Sequence, residues 1–360
     1  MPVRSIAVTG AAGPIGHRLI ALLGAPPAGD AEELRVVAID GGAMAVPDEQ
    51  SVGGQGSSRP QVGRPGGLLD GCDTVINLDW DEGSARVAPP AGSVTNVVGT
   101  RRLLEAAARA GVGTVVHLSS ATVYGGWSDN AIPLTEEAAI RPNPGVDDAI
   151  HHAEAERVVG EWADAHPDVH VAVLRPVTVV GPGVSGWLTA VLGEQAPLRP
   201  HQVDPPRQFL HCDDLASALR IAAVARLDGI YNVAPDGWVG GEALRVLGAG
   251  RPVLEVPRRV ATAVTGWSWR LHLSGLPPQV LPLVEQPWVV ANDRLRAAGW
   301  VPAHTNEEAV VAARPGSRWR EMSPTRRQEF ALAGAALAAA TAAAGALGAI
   351  AARRRRRGRR

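Results

Sequence analysis

The sequence predicts a doubly wound parallel α/β fold carrying a small C-terminal α/β lobe and an apolar C-terminal helix. Three observations predict it. Strand-like apolar runs alternate with helix-like segments through most of the chain. A glycine-rich turn joins the first such strand to the first helix. The 360 residues are 46% hydrophobic and 20% charged, enough apolar material to bury one large core.

The first strand is Ser5–Thr9 (SIAVT), short and rich in β-branched residues, as a buried parallel strand should be. It feeds the turn Gly10-Ala11-Ala12-Gly13-Pro14-Ile15-Gly16, after which His17–Leu23 has helical amphipathicity. Gly10 permits the tight turn, Gly13 lets backbone amides approach a pyrophosphate, and Gly16 allows close helix–strand packing. The N-terminus of the helix, at Pro14 and Ile15, offers amides and a partial positive charge to phosphates. In a chain with 41 glycines such a turn can also be purely structural. The context favours the dinucleotide, because a second apolar strand, Leu34–Ile39, follows and ends in Asp40. An acid there accepts hydrogen bonds from ribose hydroxyls and repels a 2′-phosphate, so it selects NAD over NADP. These features together describe a Rossmann-type site.

Later segments extend the pattern in order. Thr9-Gly10-x-x-Gly13-x-x-Gly16 is followed by Asp73–Leu78 (DTVINL), Asn96-Val-Val-Gly-Thr100 and Val115–Gly125 (VVHLSSATVYG). Leu174-Arg175-Pro176 with Gly181-Pro182, Arg207–Ala216 (RQFLHCDDLA) and Gly299-Trp300-Val301-Pro302 complete the series. This series resembles the extended short-chain dehydrogenases of the NAD-dependent epimerase/dehydratase family, over about residues 3 to 312. The resemblance implies a dinucleotide-binding domain over 1–180, interleaved with a substrate-type lobe over 181–312. It implies NAD lying across the strand ends, with Leu78 and Asn96 along the cofactor and Arg207 toward a substrate phosphate. A surface ion pair for Arg207 and a helix N-terminal bond for Asn96 remain alternatives. Asp213 and Asp214 read as caps of a helix Leu215–Arg226.

Members of that family use a Ser or Thr, a Tyr and a Lys. The Tyr exchanges a proton with a substrate hydroxyl, and the Lys lowers the Tyr pKa and holds the ribose. Ser120 matches the Ser; its other reading is a strand-end Ser bonded to local backbone. The rest is missing. All 35 basic residues are Arg, and the two tyrosines, Tyr124 and Tyr231, lie outside the helix that should carry the acid/base. Ala153-Glu154-Ala155-Glu156-Arg157 matches the segment that follows the family Lys, so His152 takes the Lys position and Asp148 the Tyr position. At i and i+4 a carboxylate and an imidazole can face the same way and exchange protons near neutral pH. The competing reading is drift, with Asp147 and Asp148 at a helix start and His151 and His152 on a solvated face. Asp79-Trp80 also replaces small residues beside the cofactor, and 51–67 is Gly/Pro/Ser-rich where an adenine-contacting Asp is expected. The expectation is an NAD-binding protein without Tyr/Lys catalysis. The alternative is an NAD-dependent oxidoreductase or epimerase acting on a nucleotide-sugar or alcohol through unconventional acid/base groups.

The remaining features bound the partners. A net charge of −1 supplies no field for nucleic acid, and Cys72 and Cys212 form neither a metal motif nor a disulfide framework. No signal-peptide pattern opens the chain, which predicts a cytoplasmic domain. Residues 313–329 read as a linker. Phe330–Ala352 follows with 23 uncharged residues, 14 of them Ala, and then the basic tail 353–360. Such a helix is long enough to span a bilayer, although Ala is weakly apolar and the arginines oppose translocation. A helix lying on anionic lipid and a soluble Ala-rich helix are the other readings. Lipid contact through helix and tail ranks first, and nucleic acid last. A small-molecule ligand is expected and a homodimer is compatible with the motifs.

Overall fold

Strand β1 (Arg4–Thr9) is buried at every position, so it must lie inside a sheet covered on both faces. A computed structural model of the chain describes residues 4–25, 34–39, 67, 69–79, 91–188, 198–200, 204–247, 254–257, 259–260, 263–264, 266–267 and 278–313. The core of the described residues is a six-stranded parallel sheet. Its members are β1, β2 (Leu34–Ile39), β3 (Thr74–Asn77), β4 (Thr114–Leu118), β5 (His170–Pro176) and β9 (Gly229–Val233). They lie in the order β2-β1-β3-β4-β5-β9. Chain order and sheet order diverge on the two sides of β1, which makes the gap between β1 and β3 the switch point where such sheets open a crevice.

Side-chain alternation divides the core into two layers. Ile6, Val8, Ile76, Val116 and Leu174 face α1 (Pro14–Leu23) and α4 (Cys212–Val224). Ala7, Val75, Val115, Val171 and Val173 face α2 (Ala91–Ala110) and α3 (Asp147–Ala165). The expected doubly wound parallel sheet with helices on both faces is therefore present. The helix starts are corrected. α1 begins at Pro14 rather than His17, because proline suits the first turn of a helix. α2 begins at Ala91, which puts Asn96 inside the helix rather than at its N-terminal end. α4 begins at Cys212, capped by the His211 imidazole accepting from the Asp213 amide. Neither aspartate caps it: Asp213 pairs with Arg18 of α1 at 2.7 Å. Asp214 accepts from the amides of Ala303 and His304.

Buried polar braces lock layers to the sheet. Arg4 donates to the carbonyls of Val224 and Ala223 at 2.8 and 2.7 Å, placing a cation on the negative C-terminal end of α4. On the opposite face Glu156 of α3 receives Arg175 of β5 through Nε at 2.9 Å and Nη2 at 2.5 Å. Ser119 donates to the same carboxylate at 2.5 Å. Arg175 also donates to the Tyr124 hydroxyl at 2.7 Å, which donates to Asn232 of β9 at 2.8 Å.

The lobe is built from two parallel strand pairs, β6 (Thr178–Val180) with β8 (Phe209–His211) and β7 (Leu198–Pro200) with β10 (Leu254–Val256). The helices α5 (Gly241–Leu247), α6 (Leu281–Glu285), α7 (Asp293–Ala297) and α8 (Asn306–Ala312) accompany them. Trp300, fully buried, donates to Ser217 of α4 at 2.9 Å and ties the Gly-Trp-Val-Pro segment to that helix. Met1–Ala313 forms one compact unit. The unit Arg314–Arg360, with the expected apolar helix and basic tail, lies outside the described residues. No described helix is long and apolar enough to cross a membrane.

The Glu156–Arg175 pair gives a direct test. Removing one partner of a buried pair strands the other charge at a cost of about 3–5 kcal/mol, so Glu156→Ala should shift the urea midpoint strongly. The exposed pair Arg157–Glu161 should contribute about 0–1 kcal/mol, and Glu161→Ala should leave the midpoint nearly unchanged. Equal midpoints for Glu156→Ala and the parent would contradict this account of the core.

Candidate functional site

Parallel strands bring their C-terminal ends to one edge, and there β1 delivers the glycine turn. Gly10 has φ +64°, and a Cβ on it would meet the Leu78 carbonyl oxygen at 2.8 Å. A Cβ on Gly16 would stand 2.5 Å from the Ala11 oxygen and 2.6 Å from that of Gly10. The turn therefore exists only with glycine at both ends. Gly13 is different: its added Cβ would meet only the Gly10 oxygen, at 3.3 Å. The first-turn amides of α1, at Ile15 and Gly16, lack intrahelical acceptors by construction and border this open side. That is the shape and polarity a pyrophosphate requires, so the residues present fit a dinucleotide. Leu78 is half-buried against the turn, and half-buried Asp79 follows it. Asn96 is buried, with Thr100 donating to its carbonyl at 3.0 Å. Asp40, Trp80 and 51–66 lie outside the described residues.

Helix α3 runs antiparallel to the strands, so its N-terminal turns stand at the same edge, beside the end of β4. There Asp148 and His152 come together, with Oδ2 and Nε2 3.8 Å apart. The indole of Trp187 donates to the same carboxylate oxygen at 3.2 Å. His152 is only 6% exposed, which corrects the solvated-face reading for this residue. Ser120 is half-buried at the end of β4, accepting from the Thr122 amide at 3.3 Å and the Thr122 hydroxyl at 2.9 Å. It therefore caps the short 3-10 turn Ala121–Tyr124, the local backbone role anticipated for it. Tyr124 is buried, and desolvation raises its pKa against the opposing pull of Arg175; it serves the core. Arg207 pairs with Val239 in an antiparallel bridge and donates to the Val284 carbonyl at 3.0 Å, a lobe-closing bond.

Two buried polar residues at this edge, Asn77 and His117, lie inside the DTVINL and VVHLSSATVYG segments but had no role assigned from the sequence. The Thr9 hydroxyl donates to Asn77 Oδ1 at 2.9 Å, and Asn77 Nδ2 lies 3.2 Å from His117 Nδ1. With its oxygen engaged, the Asn77 amide must donate, so His117 carries its proton on Nε2. That nitrogen is buried and has no hydrogen-bond partner among the described residues. Burial, and then the proximity of His152, pushes the His117 pKa down to about 3. Burial, and then His151, does the same to His152, also to about 3. Both imidazoles are neutral at physiological pH. The available signal was a polar residue breaking each of two apolar strands, VIN in β3 and VVH in β4, at positions the sheet register pairs directly.

Among the described residues, His211, Asp213 and His304 form a group close enough to hold a metal, with ligand atoms within 4.8 Å. Each already has a structural task. His211 caps α4 and stacks on His304 at 3.9 Å with rings 23° apart, and Asp213 binds Arg18. Near-parallel rings aim their lone pairs side by side rather than at one ion.

Comparison with known proteins agrees with this geometry. The sequence model of the NAD dependent epimerase/dehydratase family matches residues 6–234. An uncharacterised protein of Mycobacterium tuberculosis is 28% identical over 247 residues, covering 66% of this chain and 64% of that protein. This chain thus spans a little under two thirds of the length of such curated relatives. GDP-6-deoxy-D-mannose reductase of Pseudomonas aeruginosa is 30% identical over 151 residues, 38% of this chain and 49% of that one. The structure of Thermus thermophilus UDP-glucose 4-epimerase in complex with NAD superposes with a TM-score of 0.60. It covers 86% of this chain and 97% of that one at 21% identity, a likeness of fold.

The two neutral histidines set a pH dependence. Folded, they bind protons only near pH 3; unfolded, near the ordinary 6.5. The unfolded state therefore holds more protons throughout that interval. Stability should be full above about pH 6.5 and fall as pH drops toward 3. Each histidine contributes at most about tenfold in the unfolding constant per pH unit. Urea midpoints measured from about pH 7 to 4.5 should decline, and His117→Leu and His152→Leu should each flatten the decline. An unchanged slope in both variants would contradict their neutrality in the fold.

Proposed function

We propose that this chain, which belongs to the NAD dependent epimerase/dehydratase family, binds NAD along the β1–β3–β4 edge and does not run the Tyr/Lys proton transfer. One observation carries the reading: the chain contains no Lys, and the helix at the site presents a carboxylate and a buried neutral imidazole instead. Bound NAD supplies hydride chemistry. The chain's part is to seat the pyrophosphate at Gly10–Gly16 and to offer Ser120, Asp148 and His152 near the reacting end. Neutral His152 supplies no cation to lower a phenol pKa, and no phenol stands within reach of it on α3. The NAD preference over NADP rests on Asp40. Asp79, following Leu78 at the turn, places a negative charge beside the pyrophosphate and weakens binding. The NAD-bound solved relative supports the choice of cofactor.

Calorimetry on the full chain should show NAD binding that is abolished by Gly16→Ala and tightened by Asp79→Ala. Gly160→Ala, in open helical space, serves as the control. Turnover of nucleotide sugars with NAD should be absent. No NAD binding in the folded parent would overturn the reading.

A second reading has its own support. Asp148 and His152 are 3.8 Å apart at the right edge of the sheet, so the pair could take up a substrate proton itself. Discovery of an alcohol or nucleotide-sugar substrate whose turnover collapses in Asp148→Asn, with NAD affinity retained, would establish it.

We also infer membrane association through 330–360, from the uncharged 23-residue run and the arginines that follow it. The full chain should sediment with membranes from a lysate, and residues 1–313, one compact unit, should remain in the supernatant. A full-length chain found only in the supernatant would refute it.

A further inference from the structure

A surface helix of a folded lobe ordinarily turns its apolar stripe toward the core and its charges toward water. One segment of the lobe does the reverse. The chain is helical at 259–260, 263–264 and 266–267, after a turn in which the Val260 amide donates to the Pro257 carbonyl at 2.8 Å. Val260, Val264 and Trp267 stand at i, i+4 and i+7, a spacing that puts them on one side of a helix. All three are exposed, and Ala263 beside them is exposed as well. Trp267, at 68%, is the most exposed large apolar side chain among the described residues. Scattered single exposures need no explanation, but a periodic set of them marks a surface made to be covered.

We propose that this stripe is a membrane-contacting surface whose partner is an anionic lipid surface, on which the segment lies flat. The charge around it selects that partner. No acidic residue occurs between Glu255 and Glu285, while Arg258 and Arg259 precede the stripe and Arg270 follows it in the chain. The whole chain carries a net charge of −1, so this cationic interval is a local feature. Arginines around an apolar stripe that includes a tryptophan suit the headgroup region of a bilayer. There guanidiniums meet lipid phosphates, and an indole sits where the apolar and polar layers join. No described helix is long and apolar enough to cross a membrane, so the contact is with the surface. A second copy of the chain is a poorer occupant. Pairing two such stripes in either direction sets cation against cation, with no acid in the interval to compensate.

This contact is separate from the one inferred for 330–360, and it involves no cofactor. A stripe of about two turns binds lipid weakly and reversibly by itself, and firm anchoring takes two signals. It therefore adds to the tail and does not replace it. Alone it does not hold residues 1–313 on membranes through fractionation of a lysate.

The test uses the full-length chain with a thiol placed in the stripe, Ala263→Cys, carrying an environment-sensitive fluorophore. The native thiols, Cys72 and Cys212, are both buried, so the label reports one position. At saturating vesicles of equimolar phosphatidylglycerol and phosphatidylcholine, this label should shift to the blue. The same label on exposed Glu137→Cys should not. Val260→Ser with Val264→Ser should reduce the shift about tenfold, and Arg258→Gln with Arg259→Gln should reduce it about fivefold or more. Raising salt from about 50 to 500 mM should act in the same direction as the arginine change. No shift at position 263 in a chain that still sediments with the vesicles overturns the inference and leaves the tail as the membrane contact. A chain that does not sediment with the vesicles overturns both contacts. An equal shift at positions 263 and 137, or one that survives the serine or the glutamine changes, also overturns it. A shift produced by soluble lysate protein and not by vesicles assigns the stripe to a protein partner instead.

Discussion

The Glu156 carboxylate and the Arg175 guanidinium meet in a space from which water is excluded, and each is stable there only because the other is present. Burial opposes the Arg175 charge, and the hydrogen bonds and charge of Glu156 outweigh it, holding the guanidinium protonated above its ordinary range. Ser119 at the end of β4 donates to the same carboxylate, and the third guanidinium nitrogen donates to the Tyr124 hydroxyl. Asn232 extends the chain to β9. A half-satisfied network of this kind would cost more than an apolar core, so the rotation of α3 and the level of the 3-10 turn are fixed together. Asp148 and His152 lie about two turns and one turn before Glu156 on the same helix. Their placement at the cleft follows from the ion pair behind them.

The edge of the sheet shows the same dependence from the other side. Thr9, Asn77 and His117 link the ends of β1, β3 and β4 through side chains, while the Leu78 amide donates to the Thr9 hydroxyl at 3.2 Å. The Gly10 turn is thus set against Leu78 by a backbone approach too close for any side chain and by a hydroxyl that both strands share. The glycine turn is thereby braced on both sides by these contacts.

Much of this was legible in the amino-acid order. The glycine spacing is a backbone requirement, and Gly10 and Gly16 meet it at distances no Cβ tolerates. The apolar runs of β1, β3, β4 and β5 are the signature of strands covered on both faces. The absence of Lys is a compositional fact that no folding can reverse. Less was legible where burial decides meaning. Asp213 and Asp214, adjacent in sequence, look like two caps of one helix. They point to α1 and to the Gly-Trp-Val-Pro segment, because the helix starts earlier and His211 caps it.

Sequence by itself determined the fold class, the nucleotide turn and the loss of the Tyr/Lys pair, because each depends on local backbone geometry, periodicity or simple presence. Tertiary structure alone decided that His152 is buried and neutral, that Asp148 is held by an indole 39 residues away in the chain, and that His117 lies close enough to His152 to feel it electrostatically. Protonation depends on solvent access and on neighbours in space, and neither is written in the order of residues along one helix.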